Sequence, residues 1–118
     1  MKEEKLRIIA VDFDGTLVED RYPEIGEPIK PIWGALRDEQ RNGSKIILWT
    51  CRNGKALEEA VKFCTEVMGF HFDAINENLD EVKILYGGDT RKIFADEYWD
   101  DKSIRCGVGL YPIVVRED

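Results

Sequence analysis

The chain has 118 residues, 43% of them hydrophobic, and 24 acidic against 17 basic side chains give it a formal net charge of −7. That length accommodates one compact domain with a real core but not two, and the hydrophobic content argues against disorder. The acidic balance disfavours nucleic acid as a partner; no apolar run approaches the roughly 18 residues of a membrane span, and the charged start Met1–Lys5 leads into no signal-peptide core. Three cysteines, Cys51, Cys64 and Cys106, with no CxxC pair argue against a disulfide framework or a zinc cluster and suit a reducing cytoplasm.

Residues 6–12 read as a fully buried strand, a continuous apolar run bounded by charge. Gly15, Pro23, Gly26, Pro28 and Pro31 make 15–31 a loop or small hairpin flap. Pro31 suits the first turn of a helix that carries Ile32, Trp33 and Leu36 inward and stops at Asn42-Gly43. Residues 45–50 form a second buried strand. Asn53 then resembles an N-cap, and Leu57, Ala60, Val61, Cys64 and Met68 share one helical face that Gly69 ends. A short strand is expected within 70–75, and a short helix over 79–86 with Val82, Leu85 and Tyr86 inward, stopped by Gly87-Gly88. A strand over 93–99 runs into Asp100-Asp101. The last strand, 110–115, carries Pro112 and so belongs at an edge. Trp33, Trp49 and Trp99 are simplest as core residues.

Strands alternating with helices imply an α/β domain, a doubly wound parallel sheet with helices on both faces. Ligands of such sheets bind outside the carboxyl ends of the strands. Asp12 and Asp14, Thr50, and Asp100 and Asp101 all stand just past a predicted strand end, so adjacent parallel strands would bring them to one edge.

The Asp12-x-Asp14 pair is the sharpest signal. Carboxylates beside a core need a cationic partner; a divalent metal supplies one and leaves a carboxylate able to act as nucleophile. Gly15 allows a close backbone approach to a ligand. The Thr50 hydroxyl and neighbouring N–H groups can bind a phosphoryl oxygen, or cap a turn. Gly15, Thr16, Cys51 and Arg52 flank these strand ends as candidate substrate-binding residues; the guanidinium fork of Arg52 fits phosphate. With no nearby histidine to activate it, Cys51 reads as packed or partly exposed rather than as a nucleophile. Lys92, just ahead of the strand carrying Asp100 and Asp101, is the candidate for charge neutralisation, with Lys83 as its rival. Magnesium takes oxygen ligands, and Asp12, Asp14, Asp100 and Asp101 are its candidate ligands. Asp96 is read as structural. His71, the single histidine, reads as packed or superficial, and Gly107-Val-Gly109 fails as a dinucleotide fingerprint.

Asp12-Phe-Asp14-Gly-Thr16, the strand-terminal Thr50, Lys92 and Asp100-Asp101 resemble, in order, the four motifs of the haloacid dehalogenase-like (HAD) hydrolases, over residues 6–101. The stretches 48–52, 75–78 and 92–96 look like a subgroup of small, capless members. The resemblance implies a Mg2+-dependent phosphatase on a Rossmann-like domain. Asp12 would attack phosphorus and Asp14 serve as general acid and base; Thr50 and Lys92 would hold the phosphoryl oxygens. Mg2+ would bridge Asp12, the Asp14 carbonyl and Asp100 or Asp101. No full cap domain fits between Leu17 and Pro31 or between Arg52 and Lys92, which leaves a site open or closed by the flap or a neighbouring subunit. Such a site suits a phosphorylated small molecule or macromolecule. The rivals are a receiver-type phospho-acceptor domain, a polynucleotide-end phosphatase and a non-catalytic Mg2+-binding module.

Overall fold

The computed structural model describes residues 6–108 and 112–115, with side chains through Ile104. Its frame is a four-stranded parallel sheet of β1 (Ile8–Val11), β2 (Lys45–Leu48), β3 (Ala74–Ile75) and β4 (Glu97–Trp99), in the order β3-β2-β1-β4. Helices α1 (Lys30–Arg41), α2 (Gly54–Lys62) and α3 (Asp80–Tyr86) occupy the three connections. Ile8 through Val11 are buried without exception because successive side chains of a central strand serve opposite faces. Ile9, Val11, Ile46 and Leu48 pack with Trp33 and Leu36 of α1 and Ala60 of α2. Ile8, Ala10 and Ile47 pack with Leu79, Val82, Ile93 and Ala95. No helix among the described residues is long and apolar enough to cross a membrane.

The helices follow the sequence with two differences. Pro31 lies in the first turn of α1, and Trp33 and Leu36 are buried. The face set by Leu57, Ala60, Val61, Cys64 and Met68 packs on the sheet as expected, but it is carried past α2 by a π-helical turn, Phe63–Val67. There Thr65 Oγ1 donates back to the carbonyls of Val61 (3.1 Å) and Lys62 (3.3 Å), competing with the regular helical bonds. In α3 the expectation of three inward residues is corrected. Val82 and the preceding Leu79 cover the sheet, whereas Leu85 and Tyr86 are 73% and 62% exposed. Leu85 is rotated about 120° from Leu79 on a helical wheel, and Gly87 at φ 77 turns the chain away after Tyr86.

Segment 15–31 is a flap closed at its base. Glu19 N–H donates to the Glu27 carbonyl (2.8 Å) and Ile29 N–H to the Leu17 carbonyl (2.9 Å), while Leu17 and Val18 are buried in the core. Trp33 Nε1 donates to the Leu17 carbonyl (2.8 Å), which ties α1 to this base. Beyond β4, β5 (Arg105–Val108) and β6 (Pro112–Val115) pair antiparallel as a separate two-stranded sheet. The expected late strand therefore begins at Pro112 among the described residues; Leu110 and Tyr111 lie outside them, as do Met1–Lys5 and Gly109. The Cys106 side chain is likewise outside the described set.

Asp96 and Asp73 do parallel work at the amino ends of the strands. Asp96 Oδ2 accepts from Ile8 N–H (2.7 Å) while Asp96 N–H donates to the Ile8 carbonyl (2.7 Å). Asp73 makes the same pair with Ile46, at 2.8 Å for each bond. The structural reading of Asp96 holds. Its replacement by Ala leaves a strand N–H without its protein partner, and urea unfolding should show a loss of about 1 kcal/mol; an unchanged midpoint would remove Asp96 from the account of β4 docking.

Candidate active site

Register decides what the first polar residue after β1 meets. Val11 lies opposite Leu48 of β2 and Trp99 of β4. Asp12 N–H donates to the Trp99 carbonyl and Trp49 N–H to the Val11 carbonyl, each at 2.9 Å, so the three strands finish level. Asp12, Asp100 and Asp101 each bring one carboxylate oxygen to a group lying within 4.8 Å of one another. The chain winds outward from β1 through β2 to β3 and then crosses to the other side of β1 for β4. The three carboxylates therefore stand where the strand order reverses, the crevice in which open parallel sheets bind ligands.

Asp12 is half-buried. Burial is the main cause that lifts its pKa from 3.8 to about 6; the charges of Asp100, Asp101 and Asp14 add to the rise, while Phe13 N–H bonding to Oδ1 (2.8 Å) opposes it. Asp100 Oδ1 accepts from Lys102 N–H (2.7 Å), and Asp101 Oδ2 accepts from Lys102 Nζ (3.1 Å). The same ammonium stands 3.9 Å from Asp20 on the flap. Three carboxylates in this space, one with its pKa raised mainly by burial and further by the others, offer the oxygen donors that a hard divalent cation takes. Gly15 makes the space: at φ 87 it turns the chain, and a Cβ there would fall 2.3 Å from Asp101 Oδ2.

Asp14 goes elsewhere. Alternation along an extended strand would point Asp12 and Asp14 the same way, but the turn at Gly15 intervenes, and both Asp14 oxygens accept from Arg52, from Nε and Nη2 at 2.7 Å each. The sequence leaves Arg52 open as either a phosphate-binding residue or an ordinary surface arginine. It is instead only 2% exposed, and its remaining donors go to the carbonyls of Pro23 (3.2 Å), Ala56 (3.3 Å) and Glu24 (2.9 Å). All five guanidinium N–H groups are thus committed inside the protein, leaving none for a ligand.

Thr50 sits at the strand end as expected. Its Oγ1 accepts from Arg52 N–H (3.1 Å), and its own N–H donates to Asn76 Oδ1 (2.8 Å). The hydroxyl is a turn cap whose proton stays free to donate. Thr16 is buried, and its Oγ1 is the one buried side-chain polar atom among the described residues with no partner. Cys51 is exposed and free. Neither expected lysine touches the acidic group: Lys83 pairs with Glu77 at 2.6 Å, and Lys92 lies exposed beside a shallow pocket shared with Tyr86, Phe94 and Tyr98.

Sequence reasoning missed three supports. Lys102, directly after Asp100-Asp101, is the described cation against the cluster. Asn76 holds Thr50 from a left-handed conformation (φ 54), which asparagine tolerates better than most residues. Buried Asn78 gathers Asp89, Thr90 and Phe94 through its side chain. The asparagines in 75–78 were the available signal, since each can cap a backbone from a turn.

No protein-family model matches the chain, and no curated protein matches it at a significant level. Among solved structures, a conserved protein from Bacteroides thetaiotaomicron matches with a TM-score of 0.73 at 40% sequence identity, covering 84% of this chain and 78% of that one. The chain belongs to the family of that protein. The shared identity extends the likeness beyond the fold to the sequence that builds it.

Two outcomes follow from this geometry. Because the folded state takes up a proton on Asp12 between about pH 4 and 6, stability falls as pH rises through that window, and above it the charged carboxylate opposes folding. Without divalent cations, Asp12→Asn should melt higher than wild type at pH 7.5, the difference shrinking toward pH 4; a lower melting temperature at pH 7.5 would contradict the repulsion described. Gly15→Ala should crowd Asp101 and strain the turn at φ 87, and urea unfolding should show a loss of at least about 1 kcal/mol. An unchanged urea midpoint would contradict the close approach of Gly15 to Asp101.

Proposed function

We propose that the protein is a Mg2+-dependent phosphatase, a small capless α/β hydrolase of the HAD type with a doubly wound parallel sheet. One observation carries the reading: Asp12 at the end of β1 meets Asp100 and Asp101 at the end of β4, while Asp14, two residues on, is held apart from them. The two carboxylates of the Asp-x-Asp pair thereby stand in different surroundings, as a division into nucleophile and acid/base requires.

In the first step an Asp12 oxygen attacks phosphorus and the bond from phosphorus to the leaving oxygen breaks. That oxygen takes the electron pair and a proton from Asp14. In the second step Asp14, now a carboxylate, accepts a proton from water as the water oxygen attacks phosphorus. The bond to Asp12 breaks, giving inorganic phosphate and the original carboxylate. Asp12, Asp100 and Asp101, with the Asp14 carbonyl, would hold Mg2+, which supplies positive charge to offset the phosphoryl oxygens. The Thr50 hydroxyl donates to a phosphoryl oxygen and Lys102 adds positive charge beside Asp101; Lys92, which the HAD resemblance assigns to the phosphate, does not touch the acidic group and carries no step here. The flap, residues 15–31, is too short to enclose a substrate as a cap domain would, so the site admits a phosphate on a small molecule or on a larger one.

Hydrolysis of p-nitrophenyl phosphate with Mg2+ tests this. Asp12→Asn should lower kcat/KM by about a thousandfold or more, and EDTA should abolish turnover of the wild type. An Asp12→Asn enzyme with wild-type activity ends the proposal, and a stable acyl phosphate without turnover would move the reading to a phospho-acceptor domain.

A further inference from the structure

We propose that Arg52 is a positioning residue for the acid/base carboxylate: one guanidinium fixes Asp14 in its working orientation and straps the flap to it. This rests on the phosphatase reading above and assigns a role that the motif residues alone do not contain.

The guanidinium is over-determined. Its five N–H groups meet five acceptors from three parts of the chain: two carboxylate oxygens of Asp14, the flap carbonyls of Pro23 and Glu24, and the Ala56 carbonyl in the first turn of α2. The rings of Phe13 and Tyr22 each lie 5.0 Å from its central carbon. A planar, delocalised cation suits aromatic faces, and lysine could reproduce neither the stacking nor the fork. The Arg52 side chain is 1% exposed, whereas that of Asp14 remains 16% exposed. The cation is therefore sealed in while the carboxylate still opens outward.

Each Asp14 oxygen gives one acceptor direction to Arg52 and keeps another. The pair thus sets the plane of the carboxyl group without occupying it fully, which leaves the outward lone pairs for proton exchange with a leaving oxygen or a water. A general acid must lie within hydrogen-bond reach of the oxygen it protonates, and small misplacements lower rates strongly. The flap is fixed by the same group, so its order and the aim of Asp14 are one event.

Such a role has a signature that simple destabilisation lacks. Protonation of the leaving oxygen matters for an alkoxide and little for a stable phenolate. Arg52→Lys should lower kcat about 100-fold on an alkyl phosphate, with KM nearly unchanged and with a loss at least about ten times smaller on 2,4-dinitrophenyl phosphate. In an Asp14→Asn background the same substitution should add nothing on the alkyl phosphate, because Arg52 acts through Asp14. Tyr22→Leu, at an exposed position that does not threaten folding, should show the same selectivity at a few-fold size, and so decides the matter if Arg52→Lys does not fold. Equal losses on both substrates, or an additive loss in the Asp14→Asn background, would overturn the positioning role while leaving the phosphatase reading intact. A wild-type protein that turns over neither substrate would sink both.

Discussion

Val11 faces a neighbouring strand on each side, Leu48 on one and Trp99 on the other. That shared register is the constraint from which the centre of the molecule follows. A central strand buried on both faces admits only apolar residues, and its neighbours obey the same rule where they flank it. Their first polar residues consequently appear together, at one level, where the strands run out of core. The acidic group of Asp12, Asp100 and Asp101 is what this chain places there. Three carboxylates at that distance repel one another, so the arrangement carries an electrostatic demand for positive charge. Lys102 meets part of that demand from the edge.

The same end of the sheet resolves a second crowding problem. Asp14 is close enough in sequence to Asp12 to have joined the cluster as a fourth charge. The turn at Gly15 and the pull of Arg52 take it out. A buried ion pair of this kind is weak evidence for stability, since desolvation opposes the attraction. Its value here is directional: two carboxylates two residues apart acquire different neighbours.

How far the sequence discloses this depends on the range of the interaction. β1, α1, β2 and the α2 face are local patterns of apolar spacing, and each lies close to where the spacing puts it. The meeting of Asp12 with Asp100 and Asp101 is long-range, but parallel topology converts it into a local question of where strands end. Arg52 is different. A lone arginine after a strand announces that it needs acceptors, yet nothing local names Asp14, Pro23, Glu24 and Ala56 as those acceptors. Leu85 and Tyr86 mislead because a helix of two turns need not lay both turns on the sheet. The π-helical turn escapes because periodicity registers which residues face inward, not the backbone bonds that carry them.

Asp73 and Asp96 accept strand N–H groups at the amino end of the sheet, where donors point outward in want of partners. At the opposite end the strands present carbonyls, which offer a carboxylate no bond. The sheet is thus chemically polar along its strands: a carboxylate is bonded by strand N–H groups at one end and must find its partners outside the strands at the other. A parallel sheet imposes that asymmetry on any acid it carries, so in this chain the partners open to a carboxylate depend on strand direction as much as on residue choice.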